Sequence, residues 1–201
     1  MKIKRSKWVL ASDNIGKIKE ILESLKDLNI EIIPQAEFGL STPEETELTF
    51  IENALLKARF ACSKTGLPSI SDDSGLSVDF LKGEPGIYTS RYAGELKNDE
   101  ENIIKLLHNL KGVPKKDRSA CFHAVTVVMM TENDPAPVIC YGRWEGFIAD
   151  KAYKQNGFGY DPVFFDPKLN KMASHLSLFE KNKVSHRSKA LNQLSKYFEK
   201  I

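Results

Sequence analysis

The sequence is poor in cysteine, in charge of one sign and in long apolar runs. It has only three cysteines, Cys62, Cys121 and Cys140, far apart, odd in number and with no CxxC pair among them. That excludes a disulfide framework and a cysteine zinc site, and reads as reduced, buried thiols. The formal net charge is only +2 in 201 residues, so there is no electrostatic footprint for DNA, RNA or an anionic membrane. Any nucleotide-like ligand must be held locally, by a few placed side chains. No run approaches the roughly 18 apolar residues of a membrane span. The opening MKIKRSKWVLASDN is basic but has no apolar stretch long enough for a signal peptide, and the expectation is a cytoplasmic protein with no membrane partner. Repeats, low-complexity tracts and linkers are also missing. With 41% hydrophobic and 28% charged residues, the chain is expected to form one domain over residues 1–201, as one large core or two intimate lobes.

The hydrophobic pattern gives an α/β fold. Val9-Leu10-Ala11, preceded by Trp8, reads as a strand, Ser12-Asp13-Asn14 as a cap-like break, and Lys17 to Asp27 as a helix with Ile18, Ile21, Leu22 and Leu25 on one face. Ile30 to Ile33 is a second strand, stopped by Pro34. The spacing predicts a long helix over 46–64, with Leu48, Ile51, Ala54, Leu55, Ala58, Ala61 and Cys62 on a buried arc and Asn53 and Lys57 on its margin. Short strands are predicted at Ser69 to Asp73 and Leu76 to Leu81, with a turn at Ser74-Gly75 between them. A Gly- and Pro-rich loop, a helix from Asn98 to Leu110, and two long strands over 120–130 and 138–149 follow, the strands read as antiparallel neighbours. Ser185 is expected to cap a last helix carrying Leu191, Leu194 and Phe198. The sum is a mixed twisted sheet with flanking helices, in two lobes around a groove.

Four groups of residues could carry chemistry. Ser12-Asp13-Asn14-Ile15-Gly16-Lys17 lies at a strand-to-helix junction, where backbone N–H groups attract phosphate and Lys17 adds a mobile charge. An ordinary helix cap with a solvated lysine is the alternative, and the spacing is not that of a Walker loop. Glu44 and Glu45, with Glu47 close by, stand at the start of the long helix, the first two preceding it, where they suit either a magnesium ion or the helix dipole. Asp72-Asp73 closes a strand that reads as buried. Two adjacent buried carboxylates are costly without a cation, and strand geometry turns them to opposite faces, one toward a metal and one bracing the turn. In Gly157-Phe158-Gly159-Tyr160-Asp161-Pro162, aromatic faces could stack on a base and Asp161 could accept from a ring N–H, or the segment could be an aromatic turn in the core. Lys181 and Ser185-His186-Arg187 put cations at a helix start, against its dipole, which points to a ligand or to buried carboxylates or carbonyls that satisfy them.

Taken together, LASDNIGKIKEI, EETELTFIENALLKARFA, SDDSGLSVDFL with PGIYTSRYAG, GRWEGFIA, GFGYDPVFF and KVSHRSKAL resemble the non-canonical purine nucleoside triphosphate pyrophosphatases of the inosine triphosphatase type, over nearly the whole chain. The resemblance implies an elongated, two-lobed homodimer with the active site in the cleft between lobes. It implies that Ser12, Asp13, Asn14, Ile15, Gly16 and Lys17 hold the triphosphate with Lys57 nearby, and that Glu44 and Asp73 bind Mg2+ with Asp73 as general base. It further implies that Ser74, Phe158, Gly159, Tyr160, Asp161, Lys181, His186 and Arg187 line the nucleoside pocket. Two positions depart from the family: Ser12 stands where Thr is commoner, and Asp13 where Gly is usual. An acid pointing into a phosphate loop would repel substrate, so Asp13 should point outward.

The implied reaction is attack of water on the α-phosphorus of ITP, dITP or XTP, releasing pyrophosphate and the monophosphate, and so cleansing the nucleotide pool before these bases enter DNA or RNA. The sequence offers no convincing nucleophile–histidine pair, and His123 reads as core. Two other readings are a Maf-like pyrophosphatase acting on pyrimidine or modified canonical nucleotides, and a catalytically idle nucleotide-binding protein.

Overall fold

A computed structural model of the chain describes residues 6–198; the basic run at residues 1–5 lies outside the described residues. Seven strands form a mixed sheet: β1 (Ser6–Ala11), β2 (Ile30–Pro34), β3 (Ser69–Val78), β4 (Ser119–Met129), β5 (Val138–Ile148), β6 (Phe164–Asp166) and β7 (Lys171–Met172), in the order β2-β1-β3-β4-β5-β6-β7. β1 pairs parallel with β2 and β3, and β6 pairs antiparallel with β5 and β7. Helices α1 (Ile15–Leu25), α2 (Phe50–Thr65), α3 (Asp99–Asn109), α4 (Leu178–Val184) and α5 (His186–Phe198) complete the α/β fold. Parallel strands need crossover connections, and α1 and α2 lie in the chain between β1 and β2 and between β2 and β3. Among the described residues no helix is long and apolar enough to cross a membrane.

The chain divides into two compact units. Among the described residues, the first comprises 6–73, Ala124–Gly142 and 187–198; the second comprises Ser74–His123 and Arg143–His186. In the first, Trp8, Leu10, Ile21, Leu25, Ile70, Val128, Leu191 and Leu194 form one apolar cluster, and the inner face of α2 (Ala54, Ala58, Cys62) packs on Val125, Val127 and Met129. The second unit is built on Leu76, Leu106, Leu110, Phe122, Trp144, Ile148 and Phe164.

Several boundaries differ from those the sequence suggests. α1 begins at Ile15, two residues early, because Asn14 is extended and its side chain accepts the N–H of Lys17, which ends the loop sooner. α2 begins at Phe50 rather than Thr46, because the Thr49 side chain caps it by accepting from Glu52 N–H. Leu48 therefore falls outside the helix and is 80% exposed, and Ile51 is also exposed. No turn interrupts 69–78: Ser74 and Gly75 lie inside β3, which has a neighbour on each side in the sheet. Ladder pairing of a central strand outweighs the turn preference of those two residue types. β4 and β5 are neighbours. The last helix starts at His186, and a short helix, α4, which the sequence reading lacked, precedes it behind a Ser177–Glu180 capping box.

Candidate active site

Local chemistry builds the first loop tightly. Ser12 is buried, its Oγ accepts from Asn14 N–H at 3.3 Å, and Asn14 Oδ1 accepts from Lys17 N–H at 3.0 Å. Ile15 is exposed and Gly16 half-buried. Parallel pairing sets Ala11 opposite Ser71, so the loop that follows β1 lies beside Asp72 and Asp73. The Asp13 side chain turns to Gln35 and Thr42, accepting from Gln35 Nε2 at 2.5 Å and Thr42 N–H at 2.6 Å.

β3 shows what a two-residue period does with adjacent acids. Ser69 and Ser71 donate to the Ala58 and Ala54 carbonyls of α2. Asp73 continues that face, and its Oδ1 accepts from Lys57 Nζ of α2 at 2.7 Å. Lys57 also donates to Glu45 Oε1 at 2.7 Å. Ile70 and Asp72 take the other face. Ile70 joins the α1 and α5 core, and Asp72 meets Lys17 Nζ at 3.1 Å and Arg187 Nε at 3.2 Å. Arg187, 1% exposed, also bonds Glu20 of α1. The cations at the start of α5 are thus balanced, at Arg187, by two buried carboxylates.

The environments push the two acids apart. For Asp72, burial favours protonation, but Arg187 and Lys17 overcome it and hold the carboxyl well below the ordinary range. For Asp73, burial prevails over Lys57 and Lys17, with Glu45 adding to it, and the carboxyl rises to about 6. Glu45 is less buried: burial again works upward, but Lys57 and Lys17 bring it to about 2. Lys57 would be lowered by burial, yet Asp73 and Glu45 raise it.

These donors fit a hard divalent cation. Four carboxylates (Glu20, Glu45, Asp72, Asp73) face three side-chain cations (Lys17, Lys57, Arg187), which leaves one negative charge in excess. Asp73 and Glu45 already share one cation, the Lys57 ammonium, between them. Among the described residues no cluster of three or more His, Cys, Asp or Glu side chains could form a closed metal cage. One or two carboxylates are what magnesium takes when substrate phosphates and water complete its shell. Glu44 is exposed, and Glu45 is the glutamate that reaches Lys57 beside Asp73.

The second unit holds the aromatic motif. Gly157 and Gly159 have φ of +85° and +57°, which folds the turn back on itself. Asp161, 2% exposed, accepts from Phe158 N–H at 3.0 Å and from Lys181 Nζ at 2.5 Å. Lys181 Nζ also lies 4.5 Å from the Phe158 ring centroid. Gly159 N–H donates to Asp99, and Tyr160 OH to the Thr89 carbonyl at 3.0 Å. Asp161 Oδ2 shapes the turn and places Lys181. His186 stacks on Phe122 with centroids 4.7 Å apart. Ser74, next to Asp73 in β3, is half-buried. Glu20, Gln35, Thr42 and Asp99 escaped the sequence reading, because their partners are 22 to 167 residues away; only the oddity of Asp13 in a phosphate loop hinted at one of them.

Residues 8–197 match the Ham1 family. A dITP/XTP pyrophosphatase of Vibrio parahaemolyticus is 53% identical over 188 residues, 94% of each chain. Among solved structures, a HAM1 protein from Coxiella burnetii is 49% identical with a TM-score of 0.90, covering 98% of this chain and all of that one. The Ham1 protein of Staphylococcus aureus is 42% identical with a TM-score of 0.85, covering 96% and 98%. With near-complete coverage in family, sequence and structure alike, the chain belongs to the Ham1 family.

Proposed function

We propose that this chain hydrolyses dITP, XTP and ITP to the nucleoside monophosphate and pyrophosphate, with Mg2+. The observation that carries the reading is the division of labour on β3. Asp73 is pushed up to about 6 beside Lys57 and Glu45, and Asp72 is held ionised by Lys17 and Arg187. The relatives named dITP/XTP pyrophosphatases set the substrate class. Mg2+, held by Asp73 with Glu44 or Glu45, would neutralise charge on the departing pyrophosphate.

The chain's own groups do the rest. Asp73 takes a proton from the attacking water, and burial gives its carboxyl the basicity for that task, raising it to about 6 before the charge of a metal is added. The oxygen of that water bonds to the α-phosphorus as the bond to the α–β bridging oxygen breaks. Lys17, Lys57 and the N–H groups of the loop from Ser12 stabilise the phosphate charge. Phe158, Tyr160, Lys181 and His186, with Ser74, take the nucleoside. A 6-oxo purine accepts where adenine donates, so a donor aimed at O6 is left unpaired by ATP, a mismatch that can reject by roughly 10⁴ or more. Arg187 braces Asp72 in this reading. A homodimer completes the proposal, on the family resemblance.

The test is a side-by-side panel of ITP, XTP, dITP, GTP, ATP and pyrimidine triphosphates, with pyrophosphate detected and Mg2+ added or chelated. Metal-dependent pyrophosphate release favouring hypoxanthine and xanthine is expected. Preference for pyrimidines would support the Maf-like activity instead, and ITP binding with no turnover would leave a binding protein.

A further inference from the structure

We propose that Asp13 is a positioning residue that holds the acidic segment carrying Glu44 and Glu45, and thereby sets how tightly the site takes its divalent metal; this rests on the function proposed above. Residues 40–46 have no regular secondary structure; the Leu40 N–H donates to the Gln35 carbonyl at 3.2 Å, and past it side chains reach the backbone on both sides of the two glutamates. At the downstream end, Asn53 of α2 grips Glu47 twice, accepting from its N–H at 3.0 Å and donating to its carbonyl at 3.2 Å. At the upstream end, Asp13 accepts the Thr42 N–H at 2.6 Å. The buried Gln35 amide backs this contact, donating to Asp13 at 2.5 Å and to Thr42 Oγ1 at 2.8 Å. Its own Oε1 is buried and has no hydrogen-bond partner. Leaving a buried acceptor unsatisfied is costly, so the amide is committed to the Asp13–Thr42 contact at the expense of its oxygen. Glu44 and Glu45 hang between these two anchors, two and three residues past Thr42.

The placement also answers why an acid can stand in a phosphate-binding loop. Ser12 and Asn14 turn their oxygens to the loop's own N–H groups, and Asp13 sends its charge the other way, onto two donors. Losing a partner that orients a metal ligand typically costs about 10–100-fold in metal affinity.

The experiment compares wild type, Asp13→Ala and Asp13→Asn, all full-length. Asp13 is exposed, so the fold should survive, and circular dichroism checks it. Three quantities are read: Mn2+ binding without nucleotide, the metal concentration for half-maximal ITP turnover, and hydrogen exchange at the Thr42 amide. Asp13→Ala should weaken Mn2+ binding and raise the metal midpoint about tenfold, with faster exchange at the Thr42 amide. Asp13→Asn keeps an oxygen for the Thr42 N–H and should recover part of the loss. Unchanged Mn2+ binding in Asp13→Ala overturns the proposal. So does a fall in KM for ITP with the metal midpoint fixed, which would put the Asp13 charge against substrate. If wild type itself fails to turn over ITP, the functional reading falls, while Mn2+ binding and exchange still decide the role of Asp13.

Discussion

Asp73 sits where activity and stability pull in opposite directions. Burial raises its carboxyl to about 6, so folding favours the protonated form. The cost is absent below the ordinary carboxylate range, grows as pH rises from there to about 6, and is complete above it, at most on the order of 3 kcal/mol. Asp73→Asn keeps an oxygen for Lys57 and removes that charge. Turnover should fall by roughly 10²–10⁴-fold. In chelator, the variant should melt higher than wild type at pH 8, with the gap closing toward pH 4, and added Mg2+ should stabilise wild type but not the variant. Near-normal turnover, or a melting gap that ignores pH, would remove Asp73 from the role given it. Arg187 is the opposite case. Asp72 is held low by Arg187 and Lys17, so the pair contributes fully above the ordinary carboxylate range and loses its contribution as pH falls below it. Arg187→Met takes the guanidinium from Glu20 and leaves Asp72 with Lys17, which should cost roughly 3 kcal/mol at pH 7 and less toward pH 3, in urea titrations. The ratio of kcat/KM for ITP over ATP should hold in Arg187→Met and fall in His186→Ala. A changed ratio with undiminished stability would return Arg187 to base recognition.

At the scale of elements, the sequence was readable wherever a local pattern coincides with a local cause. α1 and α3 follow from apolar spacing and from caps at Asn14 and Asn98, and the opposite faces of Asp72 and Asp73 follow from the strand period. It misled where tertiary pairing decides. Ser74-Gly75 reads as a turn until β3 is found between β1 and β4. Leu48 fits a helical period that Thr49 cuts short. The partnerships of Arg187 with Glu20 and of Asp13 with Thr42 were closed to it, because nothing local marks either partner. The Gly157 turn is an element whose residue choice is forced twice, by φ of +85° and by the Asp161 carboxylate, which occupies the space a Cβ would need. Gly157→Ala should therefore displace Asp161 and, through it, Lys181 and the Phe158 backbone. A non-glycine residue strained at positive φ costs about 1–2 kcal/mol of stability, and with Lys181 displaced inosine monophosphate should lose about one hydrogen bond to a charged group, on the order of tenfold in affinity. The metal concentration for half-maximal turnover should not move. An equal loss in both would mean that the turn supports the metal site rather than the nucleoside.

For the whole molecule, the chain path predicts how it comes apart. Each unit is assembled from separate segments, three in the first and two in the second, and the chain passes between them four times, inside β3, near the middle of β4, inside β5 and at the start of α5. Neither unit can be cut out as one continuous piece, and no strand of those three can lose its ladder in one unit without loosening residues of the other that are covalently next to it. Unfolding should then be a single cooperative transition, as is usual for domains of modest size. The two tryptophans are natural reporters, since Trp8 is buried in the core of the first unit and Trp144 in that of the second. Trp8→Phe leaves the second unit's signal and Trp144→Phe the first's. The latter also removes the Nε1–H donated to Asp166 at 2.7 Å, so its midpoint should drop. The comparison therefore belongs within each variant, where the fluorescence midpoint in urea should coincide with that from far-ultraviolet circular dichroism. Fluorescence that moves well before or after the dichroism in either variant would mean that the units unfold separately, and that the 201 residues behave as two domains.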